Sequence, residues 1–190
     1  MKPGNNPIEQ YKAEKDGLDI LDEIEELAAR HGGWETLAPG DRERLKWIGT
    51  FFRKPTPGQF MMRIRITNGQ ATSLQLRTLA EVSRRLGNGV LDITTRQQLE
   101  LRAIKIQDVP QILQALKGVD LSSLQTGMDN VRNVNCCPLA GLTPKELFDA
   151  SPVGAEYTRI FLGNRAFTNL PRKFNVTITG CLENCTHSET

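Results

Sequence analysis

Apolar positions recur every three to four residues in the first part of the chain and every second residue further on. In GLDILDEIEELAAR (17–30), Leu18, Leu21, Ile24, Leu27 and Ala28 lie at helical spacing with acids between them. This predicts an amphipathic helix, stopped by His31-Gly32-Gly33. A second, shorter helix is predicted through GDRERLKWIG, with Asp41 as its N-cap. The first dozen residues, with Pro3, Gly4 and Pro7, read as a flexible start. RKPTPGQ (53–59) reads as a boundary, and beyond it the period is two. FMMRIRI (60–66) sets Met62, Ile64 and Ile66 against Met61, Arg63 and Arg65, the alternation of a strand.

TNG then makes a turn. TSLQLRTLAEVSRRL (72–86) follows as a helix capped by Thr72 or Ser73, with Leu76, Leu79, Val82 and Leu86 facing inward. VLDITT and QLELRAI are strands, and Asp108 opens a helix with Pro110 in its first turn. The order β-α-β-β-α is most of a ferredoxin-like unit. TGMDNVRNVNCCPLAG is less regular. Helices are predicted at about 143–149 (Thr143 cap, Pro144 first) and 154–162, and KFNVTIT is a last strand. The fold class is α+β. Residues 1–52 read as a helical N-terminal segment, 53–120 as the ferredoxin-like half-domain and 121–190 as the beginning of a further α+β domain.

Composition adds little, but charge distribution adds much. The formal net charge is +2, yet residues 51–118 hold 11 basic and 4 acidic residues. Such a segment suits an anionic partner. No run is long and apolar enough for a membrane span, and the N-terminus lacks a secretory h-region, which predicts a cytoplasmic protein. Four cysteines are too few for a disulfide scaffold and read as thiols or ligands in a reducing compartment.

The arginines are the candidate chemistry. Arg63 and Arg65 share one strand face, as do Gln98, Glu100 and Arg102. Arg96 sits in the turn TTRQQ, Arg132 in NVRN, and Arg172, Lys173 and Asn175 in PRKFN, where Lys173 and Asn175 alternate onto one face. Guanidinium groups grip carboxylates or phosphates through two parallel hydrogen bonds. Singly, each could equally be a solvated surface arginine; five or six together favour an anionic ligand. Nucleic acid is disfavoured, because no helix-turn-helix or zinc-finger spacing occurs and the sheet lacks paired exposed aromatics.

RLKWIGTFFRKPTPGQFMMRIRITNG, DITTRQQLELRAI, GMDNVRNV and NLPRKFNVTITG, in this order, resemble the ferredoxin-dependent nitrite reductases of the nitrite/sulfite reductase superfamily. The resemblance runs from about residue 8 to the last. It implies six-electron reduction of nitrite to ammonia, with electrons from reduced ferredoxin, at a sirohaem coupled to a [4Fe–4S] cluster. Sirohaem is a polycarboxylate, the kind of anion the basic segment would suit. By resemblance, Arg63 and Arg132 match the family's anion-site arginines, Lys173 its active-site lysine and Asn175 the residue two further along. These four are the implied catalytic set. Arg96 and Arg102 match contacts to sirohaem carboxylates, and Arg65, Thr94, Thr95, Asn133 and Arg172 are placed with them. Lysine followed by asparagine at 173 and 175 resembles the nitrite branch; the sulfite branch carries lysine at both. Assimilatory sulfite reductase and a non-catalytic sirohaem- or tetrapyrrole-binding module are the alternatives.

The resemblance also implies that family members are much longer and built from two related halves. Their cluster ligands, Cys-x5-Cys and Cys-x3-Cys, lie in the second. This chain therefore reads as an N-terminal part, alone inactive, and Cys181-x3-Cys185 as the non-ligating counterpart of the second motif. No metal ligand is assigned, since Cys136-Cys137, the other pair, is poorly spaced for one metal. Trp34 and Trp47 read as packing residues.

Overall fold

The computed structural model describes residues 6–187 except His31 and Asn184. A four-stranded antiparallel sheet has the order β1-β2-β4-β3, with β1 at Thr50–Phe52, β2 at Phe60–Ile64, β3 at Leu91–Ile93 and β4 at Leu99–Ile104. Arg63 of β2 lies opposite Glu100 of β4, and Asp92 of β3 opposite the same glutamate. A bulge interrupts the β2–β4 pairing between Phe60 and Met62, where Ala103 of β4 has φ 59°. A second, parallel pair joins β5 (Val131–Cys136) to β6 (Phe174–Ile178).

Helices α4 (Ser73–Leu86) and α5 (Val109–Lys117) cover one face of the four-stranded sheet. Thr72 and Gln75 form the capping box that starts α4, as the cap prediction required. Helix α2 (Ile20–Ala29) and the Leu45–Ile48 turn share that core, through Ile20, Ile24, Leu27, Leu45 and Ile48. A smaller core lies between β5 and α6 (Ser151–Phe161), centred on Val131, Val134, Cys136 and Phe161. Trp47 is buried, its Nε1 donating to the Thr168 carbonyl at 2.8 Å. Gly17 makes room for that indole, since a Cβ there would lie 2.2 Å from the ring. Trp34 stacks on Phe52 at 4.9 Å, so both tryptophans pack.

Several expectations need correction. Residues 7–14 are helix α1 (Pro7–Glu14) rather than a flexible start, because Asn6 caps it and Pro7 takes the first turn. His31, expected at the α2 stop, is outside the described residues. In α2 the inward stripe is Ile20, Ile24, Leu27 and Ala28, and Leu21, one position off that stripe, is exposed. Helix α3 (Pro39–Arg44) starts earlier than Asp41, with Ala38 as N-cap, and passes into a 3-10 turn at Leu45–Ile48. Leu76 of α4 is 45% exposed while Leu79 is fully buried. No helix forms at 143–149, where the backbone pairs instead with the segment after β6: Leu147 N–H donates to the Gly180 carbonyl, and Glu146 bridges to Cys181. Helix α6 begins at Ser151, three residues before the expected start. RKPTPGQ forms the connection between β2 and an unpredicted β1, whose three residues are too few to show an alternation. Among the described residues no helix is long and apolar enough to cross a membrane.

Arg65 joins the two cores. It follows β2, its N–H bonds the Ser122 carbonyl at 2.8 Å, and the residue is only 3% exposed. Its guanidinium donates to the carbonyls of Leu124 (2.9 Å), Gln125 (2.8 Å) and Val131 (2.6 Å), and it lies 4.9 Å from the Phe161 ring. Burial first, then the charge of Arg132, pushes its pKa down to about 9, still cationic at neutral pH. Replacing Arg65 by Met would leave three carbonyls without a donor. Denaturant unfolding should show a loss of about 3 kcal/mol or more. Gly49 (φ 76°) passes 2.4 Å, measured from an added Cβ, from the Ser123 carbonyl. Gly49→Ala should therefore lower stability by more than about 1 kcal/mol in the same assay.

Candidate functional site

The segment held by Arg65 sets the site. Residues 122–130 turn back across β2, with Gln125 (φ 55°) and Met128 (φ 54°) in the left-handed region. Thr126 Oγ1 donates to the Ser123 carbonyl at 2.9 Å, which fixes the bend. The Thr126 carbonyl then accepts from Nη1 of both Arg63 and Arg132. Two guanidinium groups from different units thus meet on one oxygen.

Around that point lies an open basin of about 410 Å³, lined by Phe51, Asp129, Arg132, Arg172 and Lys173 and by Lys46 at the rim. Arg132 is the most perturbed member. Burial, then Arg63 and Arg96, push its pKa down to about 10, with Asp129 opposing and Arg172 adding to the drop. Among the described residues, Arg96, Arg132, Arg172 and Lys173 have no salt-bridge partner within 4.0 Å. Four cations stand together without matching acids, an arrangement that favours a multiply charged anion.

The other predicted site residues divide by what their side chains already hold. Arg63 is paired with Glu100 at 2.8 Å and lies 4.8 Å from the Phe51 ring. The second oxygen of Glu100 pairs with Arg102 at 2.8 Å, and Arg102 also bonds Asp92 at 2.5 Å. Arg63 therefore reaches the Thr126 carbonyl beside Arg132 already partly neutralised, and Arg102 is committed to acids across the sheet. Asn175 Oδ1 accepts from Arg96 Nε at 3.2 Å, bringing the TTRQ turn beside β6. Lys173 is exposed at the basin. Thr94 Oγ1 accepts the N–H groups of Arg96 (3.2 Å) and Gln98 (3.1 Å), so it shapes the turn, and Thr95 is exposed beside it. Asn133 Nδ2 donates to the carbonyls of Ile66 (2.9 Å) and Arg96 (2.8 Å), while its Oδ1 is buried without a hydrogen-bond partner. Arg65 is turned inward, away from the basin. Phe51, Lys46, Thr126 and Asp129 were not singled out from the sequence. Phe51 enters the site from the short strand β1 and the other three from backbone turns, none of which local spacing encodes.

The cysteines lie apart from the residues lining the basin. Cys136 is buried with Sγ 2.9 Å from Asn68 Oδ1, and burial, then Asp149 and Cys137, push its pKa up to about 11. Cys181 is buried and accepts the Glu183 N–H at 3.4 Å; Cys185 is exposed. Among the described residues no group of three or more His, Cys, Asp or Glu side chains is placed to hold a metal ion.

Comparison with known proteins gives a consistent picture. Residues 52–119 match the nitrite/sulfite reductase ferredoxin-like half domain, and residues 127–190 match the nitrite and sulphite reductase 4Fe-4S domain. The chain is 48% identical to a ferredoxin–nitrite reductase of Synechococcus elongatus, over 97% of this chain and 37% of that protein. It is 43% identical to the chloroplastic ferredoxin–nitrite reductase of Arabidopsis thaliana, over 95% of this chain and 33% of that one. The chain thus spans about a third of the length of these relatives. Among solved structures, the Mycobacterium tuberculosis NirA protein superposes with a TM-score of 0.85 at 29% identity, over 92% of this chain and 35% of that chain. The α+β fold expected from the strand and helix order agrees with that superposition, and the two domain matches together take in most of the sequence. The chain belongs to the nitrite and sulfite reductase family.

Proposed function

We propose that the chain supplies the substrate-facing cations and part of the sirohaem pocket of an assimilatory ferredoxin-dependent nitrite reductase, in which nitrite is reduced to ammonia. The observation that carries this reading is the group of four cations without salt-bridge partners around Arg132. Their donors suit sirohaem in chemistry: guanidinium and ammonium groups match its carboxylates and leave no acid in salt-bridge contact to compete. Sirohaem, when bound, supplies the iron and the electron path to the nitrogen. Arg96 and Arg172 hold carboxylates of the cofactor, and Arg132, Lys173 and Arg63 bind nitrite and orient it. Lys173 Nζ carries a proton where N–O bond cleavage consumes one.

Asn175 favours nitrite over sulfite as the substrate. Its Oδ1 accepts from Arg96, a contact that a lysine at 175 could not make, and a neutral residue there keeps the site suited to a monoanion. Reduced ferredoxin is the electron donor in this reading, as the names of the relatives state for those proteins. The [4Fe–4S] cluster is assigned to ligands other than Cys181 and Cys185. The proposed units are 1–52, 53–120 and 121–190. The four free thiols suit a reducing compartment, and the reading places the protein in the cytoplasm.

The test is uptake of sirohaem by the purified chain, followed by its visible absorbance, then methyl-viologen-driven reduction of nitrite and of sulfite. Bound sirohaem is expected, with Arg172→Gln and Arg96→Gln each weakening uptake about tenfold, the effect of losing one charged hydrogen bond. A chain that takes up no sirohaem, or one in which neither substitution matters, sinks the proposal. Sirohaem bound without reduction of either anion would leave the binding role and remove the catalytic one for the isolated chain. Cys181→Ser and Cys185→Ser should leave sirohaem uptake unchanged, and a loss of uptake in either would bring the cysteines into the site.

A further inference from the structure

One acid lines the cation basin, and a residue distant in sequence holds it. Asp129 belongs to the same bend as Thr126 and lies three residues before Arg132. Its carboxylate is 3.0 Å from Lys12 Nζ, across 117 residues of sequence. It makes no salt bridge to Arg132 within 4.0 Å, although its charge still acts on that guanidinium. Lys12 projects from α1, and its side chain is only 4% exposed. The ammonium also bonds Glu9 at 2.9 Å and the Leu170 carbonyl at 3.4 Å, which spends its three donors. Asn6 and Ile8, at the start of the same helix, form part of the basin wall.

Helix α1 buries no residue fully. It is docked by the Lys12 ammonium on the basin loop and by the Tyr11 ring against Gly40. A lysine drawn out of water to reach a particular carboxylate does more than fasten a helix. Burial disfavours the ammonium, but the bonds to Glu9 and Asp129 outweigh it and hold its pKa above the ordinary lysine value.

We propose that Lys12 is a positioning residue of the anion site, holding the Asp129 carboxylate away from Arg132 so that the basin keeps its positive charge for a small anion. The inference rests on the anion-site reading above. Freed from Lys12, Asp129 would be able to turn to Arg132, on which its charge already acts, and occupy the donors an anion needs. The charge logic gives opposite signs for the two partners. Lys12→Met adds an uncompensated negative charge to the basin wall, Asp129→Asn removes one, and the double substitution returns the balance to that of the native chain.

The test follows arginine side-chain N–H signals of the purified chain by NMR, with nitrite and inorganic sulfate as the titrated anions. Lys12→Met should weaken anion binding about fivefold, the size of a one-charge change beside a partly screened site. Asp129→Asn should bind as tightly as the native chain or severalfold tighter, and the double variant should return to within about twofold of native. A double variant as weak as Lys12→Met would show that Lys12 only supports structure, and the proposal falls. If Lys12→Met fails to fold, Asp129→Asn decides alone, and weakened binding overturns the proposal. A native chain whose signals respond to neither anion overturns the basin reading and this inference with it. A native chain that binds, with both single variants identical to it, overturns this inference only.

Discussion

The structure depends on a cation buried between two cores. Arg65 leaves the sheet at the end of β2 and is enclosed by Leu124, Gln125, Val131 and Phe161. Moving a guanidinium out of water costs several kcal/mol, and only a close set of acceptors makes that tolerable. Here the acceptors are backbone carbonyls of the loop that leads into β5. The loop cannot relax without stranding the charge, and the charge cannot be enclosed without the loop. This mutual requirement fixes the Thr126 carbonyl, and with it the meeting point of Arg63 and Arg132. The geometry of the basin is therefore set from behind, by an arginine that does not line it.

Holding like charges together has a cost that the fold distributes rather than removes. Glu100 takes one guanidinium on each of its oxygens, Arg63 on one and Arg102 on the other, and Asp92 completes the row across β3 and β4. That row carries its own counter-charges. The group around Arg132 does not: its neighbours are Arg63, Arg96 and Arg172, and the one nearby acid is drawn off by Lys12. The lowered pKa of Arg132 expresses that imbalance together with its burial. An anion entering the basin relieves the repulsion, so the free energy stored in crowding becomes part of its affinity.

The half-domain was legible because its signals are local. Alternation in 60–66, the Thr72–Gln75 capping box and Pro110 in the first turn of α5 each specify their element within a few residues. What failed had its partners far away in sequence. Residues 143–149 carry a good helix start, yet their hydrogen bonds go to 180–181. Strand β1 exists because Phe60–Met62 offers it an edge, and its three residues show no period of their own. The two arginines of MMRIR look equivalent by alternation. They differ because β2 stops at Ile64 and the backbone turns to meet Ser122, which carries Arg65 to the inside. The site followed the same rule: the charged residues could be named, but the pairings that decide which of them remain available, Glu100 with Arg63 and Arg102 among them, could not.

The residues grouped by family resemblance therefore separate by remaining hydrogen-bonding capacity. Asn133 and Thr94 spend theirs on the turn that carries Arg96: one bonds the Arg96 carbonyl and the other accepts its N–H. Asn175 then takes the Arg96 Nε, leaving the terminal nitrogens of that guanidinium for a partner outside the chain. Two neutral side chains thus fix the backbone at residue 96 and a third holds its guanidinium, none of them neutralising it. A carboxylate at 94 or 175 could accept the same bonds but would offset the charge, and at 133 it could not donate to the two carbonyls at all. The choice of amides and a hydroxyl around Arg96, and of backbone carbonyls around Arg65 and Arg132, is the same solution at two depths. Dipoles hold the cations in place without cancelling their charge.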